Sequence, residues 1–136
     1  MIAVVSNDEF GKSSLAGLRI CLTEKRFERL AMAKSFDFGN DHDEIRDVAT
    51  AVVSERPDVI FVSSFSSSLG TMIKALRNNG YQGVILTTTA FTVPEIQRLA
   101  GACKDVVFVN LKKSETYYEI RKIYKGACHL AGTFFT

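Results

Sequence analysis

The chain has 136 residues, of which 46% are hydrophobic and 24% are charged, and its formal net charge is +2. This length is typical of one domain, and the near-average composition excludes collagen-like, low-complexity and disordered chains. Because so small a net charge produces no strong field, nucleic acid is not expected as a partner. We therefore interpret residues 1–136 as a single globular domain.

The sequence predicts neither a membrane anchor nor a disulfide framework. No apolar run approaches the roughly 20 residues that a membrane-spanning helix needs. Met1 leads straight into a short apolar run without the basic and apolar regions of a signal peptide, so none is expected. The cysteines, Cys21, Cys103 and Cys128, are scattered, odd in number and without a C-x-x-C motif. At least one thiol is therefore expected to stay outside any intrachain disulfide.

Short apolar runs recur along the chain, and many of their residues are β-branched. A run that is apolar on both faces is typical of a parallel strand covered by helices on both sides. The predicted strands are residues 2–5, 30–33, 59–62, 84–86 and 106–109.

Amphipathic segments with helical spacing separate these runs. Pro57 closes the second segment, Asn78-Asn79-Gly80 is a typical cap after the third, and Pro94 opens the fourth. The periodic residues are Leu15, Leu18 and Leu22; Ile45, Val48, Ala49, Val52 and Val53; Leu69, Met72, Ile73 and Leu76; Ile96, Leu99, Ala100 and Cys103; and Ile120, Ile123, Tyr124 and Ala127. Five strand–helix units predict a three-layer α/β domain, in which a mainly parallel five-stranded sheet of Rossmann-like or flavodoxin-like type has helices on both faces.

In an open sheet of this kind, ligands bind beyond the carboxyl ends of the strands. The segments at those ends are rich in hydroxyl groups, and Phe10, Phe65 and Phe91 add aromatic rings. Apolar walls with a few polar groups are typical of a small-molecule pocket. The alternative is that these serines and threonines cap helices and fill turns. The segments are residues 6–10, 63–68, 87–91 and 110–113.

No catalytic or metal-binding motif is recognised with confidence. Gly11-Lys12-Ser13 follows a strand as in a P-loop, but Ser6 stands where the first glycine belongs. Residues 41–44 (DHDE) precede a helix, so Asp41 is interpreted as an N-cap rather than a metal ligand. With only two histidines and no evident acid–base pair, the sequence predicts no enzyme, no metal site and no cofactor.

A phosphoacceptor receiver domain has the same alternation of strands and helices. Asp8 and Lys112 occupy positions that suit it, but Ser63 or Ser64 stands where the aspartate should be. A hydroxyl cannot form an acyl phosphate, so only a degenerate receiver-like domain that acts through protein contacts fits. This is the alternative function.

Several segments, in consistent order, resemble the second lobe of type I periplasmic binding proteins. These are the Leu/Ile/Val-type, branched-chain amino-acid solute-binding proteins of ABC transporters and their receptor relatives. The opening strand, loop and helix start, the loop before the second helix and the third strand are similar to the family pattern, as are two later helical segments. The segments are residues 2–12 (IAVVSNDEFGK), 36–43 (FDFGNDHD), 56–62 (RPDVIFV), 69–81 (LGTMIKALRNNGY) and 99–102 (LAGA).

The resemblance implies a non-catalytic site at the ends of the strands, formed by Ser6, Phe10, Ser64, Phe65 and Thr89. Phe10 and Phe65 match the family's aromatic contacts in the first loop and after the third strand. Thr89 falls where relatives have an acid that pairs with the ammonium group of the ligand. Because a threonine cannot neutralise a buried ammonium, a neutral or anionic solute is expected alongside amino acids.

The resemblance also implies partners and a location. Relatives have two lobes that close on a ligand by a hinge, and this chain matches the second lobe alone. The expected partners are a small solute, the first lobe and, in a transporter, a membrane permease, in the periplasm or outside the cell. If the first lobe packs on the aromatic tail at residues 132–136, the lone domain is expected to form a homodimer that covers it.

Overall fold

The computed structural model describes residues 1–23, 31–101 and 104–108. In these residues, strands and helices alternate along the chain. The elements are β1 (Ile2–Ser6), α1 (Glu9–Leu22), β2 (Lys34–Phe38), α2 (His42–Ser54), β3 (Val59–Ser63), α3 (Ser68–Asn78), β4 (Val84–Thr87), a 3₁₀ helix (Thr89–Thr92), α4 (Pro94–Ala100) and β5 (Val106–Phe108).

The five strands form one sheet in the order β2-β1-β3-β4-β5, and every pair of neighbours is parallel. This confirms the predicted α/β fold. The chain leaves β1 towards β2 on one side and leaves β3 towards β4 and β5 on the other. β1 and β3 therefore flank the topological switch point, where sheets of this kind bind ligands.

One face of the sheet packs on α2, α3 and α4. Alternate strand residues, such as Val4, Ile60 and Ile85, point to that face and share a single buried cluster with side chains of the three helices. The largest fully buried side chains of the cluster are Phe38, Ile45, Ile60, Leu69, Met72, Ile73, Leu76, Ile85 and Phe91.

Helix α1 covers part of the opposite face. Ala3 and Val5 are buried but do not belong to the cluster, because alternate residues of β1 point to the other side. Helix α1 contacts β1 and β3. The helices therefore lie on both faces of the sheet, and the three-layer prediction is confirmed. None of the helices in the described residues is both long and apolar enough to cross a membrane.

The predicted helix ends are confirmed at α2, α3 and α4. Asp41 caps α2, since its carboxylate accepts hydrogen bonds from the backbone N–H groups of Asp43 and Glu44, both at 3.0 Å. Gly80 follows α3 with a φ of 88°, a conformation that glycine adopts without steric cost. Pro94 opens α4 at a position where its missing N–H has no helical partner.

The predicted second strand is wrong: it was placed at residues 30–33, and β2 is Lys34–Phe38. β2 is an edge strand that pairs with β1 alone, so only one of its residues, Phe38, is fully buried. A half-exposed edge strand does not need the continuous apolar run that buried parallel strands show. Ala31 and Ala33 instead exchange backbone hydrogen bonds with Met1 just ahead of the strand.

Five other predictions fall outside the described residues. They are the end of the fifth strand at Val109, the position of Cys103 on the fourth helix, the edge segment at residues 110–113, the fifth helix with its periodic residues from Ile120 to Ala127, and the aromatic tail at residues 132–136.

Candidate ligand-binding site

The turn between β1 and α1 is fixed by Asp8 and Gly11. Asp8 caps α1, and one of its carboxylate oxygens accepts the N–H of Gly11 at 2.8 Å and the hydroxyl of Ser6 at 2.7 Å. The Gly11 N–H first, and the Ser6 hydroxyl second, lower the pKa of Asp8 below its usual value. A Cβ on Gly11 would lie 1.8 Å from the carbonyl oxygen of Ser6, so only glycine lets α1 approach the end of β1 this closely.

The loop after β3, residues 64–68, is held by a chain of hydroxyl groups, and we call it the serine loop. Ser64 and Ser68 lie 3.0 Å apart, Ser68 and Ser66 lie 2.6 Å apart, and Ser66 donates to Oδ1 of Asn40 at 3.2 Å. When Ser64 donates to Ser68, Ser68 to Ser66 and Ser66 to Asn40, each hydroxyl group donates its single proton once. Because Asn40 follows β2, this chain connects the loops at the ends of two strands.

Phe10 and Phe65 form an aromatic pair at the switch point. Phe10 follows β1 and Phe65 follows β3, and their ring centroids are 5.4 Å apart with the ring planes inclined by 58°. Phe10 is 36% exposed and Phe65 is 73% exposed. Exposed rings that touch each other provide an apolar surface whose burial by a ligand is favourable.

Among the residues that the structure describes, three hydroxyl groups near the ends of β3 and β4 are buried and have no hydrogen-bond partner. They belong to Ser63, which ends β3, and to Thr87 and Thr88 at the end of β4. A buried hydroxyl left unpaired costs about 1–3 kcal/mol. Such groups are rare in folded proteins and are most often explained by a strained, hydrated or functional site.

The five predicted site residues lie in three different environments. It brings Phe10 and Phe65 together on the surface. Ser6 and Ser64 are buried, and their hydroxyls bond within their own turn and loop. Thr89 is half-buried at the start of the 3₁₀ helix. Ligand binding by all five residues stays a prediction.

The prediction that Phe91 adds an aromatic ring to this edge is wrong. Its side chain is fully buried in the core, and its ring centroid lies 5.9 Å from that of Phe108. Phe91 lies in the 3₁₀ helix, which directs its side chain into the core, and the sequence alone does not indicate this orientation. Conversely, Asp8 and Asn40 lie at the site although the sequence did not single them out as ligand-binding residues.

Both rejected motifs make structural contacts, and the predicted N-cap at Asp41 is confirmed. Lys12 of the P-loop-like triplet lies within α1 and pairs with Glu9 at 3.0 Å. Asp41 is a helix cap, and the described residues contain no group of three side chains able to hold a metal ion. Lys112, which the receiver alternative requires, lies outside the described residues. 

No protein-family model matches the sequence, and no curated protein matches it. The functional interpretation therefore depends on the geometry at the carboxyl edge of the sheet. That geometry consists of two touching, exposed rings flanked by the capped turn of Asp8 and the serine loop. An apolar surface with polar groups beside it is typical of the walls of ligand-binding clefts.

Proposed function

We propose that the chain is a ligand-binding lobe of a type I solute-binding protein or receptor, without catalytic activity. The aromatic pair of Phe10 and Phe65 is the observation on which this proposal depends. It lies at the switch point between β1 and β3, where open α/β sheets bind ligands. The two positions are also those that match the family's aromatic contacts in the first loop and after the third strand.

The exposure of the pair fits half of a cleft. Fully burying a phenylalanine side chain is worth about 1.5–3 kcal/mol, and Phe65 is 73% exposed, so most of this stabilisation is still to be gained. In a two-lobed protein the ligand and the opposite lobe cover such rings when the hinge closes. The capped turn and the serine loop each contain internal hydrogen bonds, and the serine loop also bonds to Asn40, so the wall is preorganised for a ligand.

The wider role follows from the same resemblance and is part of the proposal. The lobe would act outside the cytoplasm, together with a first lobe that completes the cleft. In an uptake system of ABC type it would deliver amino acids or other small solutes to a membrane permease. In a receptor, the closed cleft would itself be the signal.

The experiment is a solute screen on the 136-residue chain by ligand-observed NMR, with amino acids, amines, carboxylates and sugars at millimolar concentration. A bound solute should lose at least about tenfold in affinity with the Phe65→Ala variant, because most of its contact surface is removed. Ile20→Ala is the matched control, since Ile20 is 70% exposed on α1, about 15 Å along the helix from Phe10. Binding that is equal in both variants, or no binding by any solute, would refute the proposal.

The strand order β2-β1-β3-β4-β5 also favours the receiver-like alternative, because that fold has the same order. In it, Ser63 occupies the end of β3, where its buried hydroxyl cannot accept an acyl phosphate. The solute screen separates the two functions, because a degenerate receiver acts through protein contacts. A solute whose binding depends on Phe65 would favour the solute-binding lobe and contradict the receiver.

A further inference from the structure

We infer that the solute bound by the aromatic pair is a small organic cation, whose substituted ammonium group contacts Phe10, Phe65 and the carboxylate of Asp8. This inference rests on the proposed function and names the chemical class of its ligand. In relatives, the acid that pairs with an ammonium group falls at the position of Thr89, after β4. In this inference the negative charge comes instead from Asp8 in the first loop.

The geometry of the two rings suits a cation. A cation is attracted to the face of an aromatic ring when it lies within about 6 Å of the centroid. The centroids of Phe10 and Phe65 are 5.4 Å apart and their planes are inclined by 58°, so one compact group can lie within that range of both. Because Phe65 is largely exposed, the approach to its ring is open.

Asp8 supplies a negative charge in the turn that also carries Phe10. It is two residues from Phe10 in the same turn and remains exposed, so its charge is accessible to a ligand. The hydrogen bonds from Gly11 and Ser6 hold the carboxylate in place. They also lower the pKa of Asp8, which keeps the group ionised at neutral pH.

The charges around the site favour a cation over an anion. The segments at this edge that the structure describes, residues 7–12, 39–44, 64–68 and 88–93, contain five carboxylates and a single lysine. Lys12 pairs with Glu9 at 3.0 Å, and Arg46, two residues beyond these segments, pairs with Asp43 at 3.1 Å. His42 is the other basic side chain in these segments. Five carboxylates against these two cations leave a negative excess, and such a surface raises the local concentration of ligands of the opposite sign.

The experiment compares choline with its neutral isostere 3,3-dimethylbutan-1-ol, by NMR titration of the 136-residue chain. The two probes share size and shape and differ in charge, so choline should bind about tenfold more tightly. Phe65→Leu keeps an apolar side chain but removes the ring. It should weaken choline binding several-fold and leave the neutral probe nearly unchanged.

Asp8→Asn tests the carboxylate without removing the helix cap, because asparagine caps helices about as well as aspartate. It should weaken choline binding several-fold, whereas the matched variant Glu9→Gln, which removes the neighbouring charge, should not. Urea unfolding of each variant checks that the fold is retained.

The outcomes separate this inference from the proposed function. If the neutral isostere binds as tightly as choline, or if Asp8→Asn and Glu9→Gln behave alike, the cationic ligand class is wrong while a solute-binding lobe stands. The same holds if choline and tetramethylammonium fail to bind and a neutral or anionic solute binds at Phe65. If no solute of any class is sensitive to Phe65→Ala, the proposed function itself is wrong.

Discussion

Substitution of Gly11 by alanine tests how much the close packing of the turn between β1 and α1 contributes to the stability of the domain. The added Cβ would lie 1.8 Å from the carbonyl oxygen of Ser6 and 2.8 Å from its backbone nitrogen. A carbon and a carbonyl oxygen normally approach no closer than about 3.3 Å. The start of α1 must therefore move by about 1.5 Å, because no side-chain rotation relieves a contact with backbone.

The expected cost is about 3 kcal/mol of unfolding free energy. Overpacking of this kind costs about 1–3 kcal/mol and sometimes more, and a backbone contact lies at the upper end of that range. Moving the helix also weakens the 2.8 Å hydrogen bond from Gly11 to Asp8, and loss of a cap costs about 1 kcal/mol. Alanine favours the helix over glycine by about 1 kcal/mol, which offsets the loss of the cap.

Gly17→Ala is the matched control, because Gly17 lies on the same helix and a Cβ there meets no atom within 4 Å. This variant should gain about 0.5–1 kcal/mol from helix propensity alone. Urea unfolding followed by far-UV circular dichroism measures both changes, with similar denaturant slopes expected. The reasoning fails if Gly11→Ala stays within about 0.5 kcal/mol of the parent, or if Gly17→Ala is destabilised as strongly.

Three further predictions concern the helix caps Asp41 and Asp8 and the buried phenol of Tyr81. Asp41→Ala should lower the unfolding free energy by about 1 kcal/mol in urea, whereas Asp41→Asn should have little effect. The pKa of Asp8 is lower in the folded chain than in the unfolded one, so its stabilisation is present above about pH 4 and fades as the pH falls through the lowered pKa. Unfolding free energies of the parent and Asp8→Asn should therefore converge as the pH falls below about 4, and a constant difference would contradict this. Burial raises the pKa of Tyr81, whose hydroxyl lies 3.1 Å from the carbonyl oxygens of Asp58 and Val84. Its contribution, about 1 kcal/mol by comparison with Tyr81→Phe, should be lost as the pH rises above about 10; an unchanged difference there would show that the phenol does not ionise on unfolding.

The fold was predictable where burial is complete on both sides of the sheet. β1, β3 and β4 lie within the sheet, so each needs apolar residues on both faces, and each appears in the sequence as a short apolar run. β2 (KSFDF) has mostly exposed side chains, so it lacks the apolar run that the other strands, including the edge strand β5, possess. The helix ends were predictable because Asp41 and Pro94 act through local backbone geometry.

The candidate site was predictable only in part, because it depends on how neighbouring loops pack. The carboxyl ends of parallel strands share one edge, so loops containing Phe10 and Phe65 were expected to be close. Whether a ring at that edge points outwards depends on the path of the loop. The 3₁₀ helix buries Phe91, while the serine loop leaves Phe65 exposed.

The hydroxyl groups show why polar residues at a sheet edge are weak indicators of ligand contact. Ser6 and Ser64 lie where a ligand-binding hydroxyl was expected, yet each is buried and bonded to its own loop. A turn must first satisfy its own backbone and side-chain polar groups, since each left unpaired costs about 1–3 kcal/mol. In the first loop this requirement orients Asp8, whose exposed carboxylate is held by Gly11 and Ser6. Under the proposed binding mode, the hydroxyl of Ser6 acts on choline only through Asp8, so Ser6→Ala should weaken choline binding less than Asp8→Asn does.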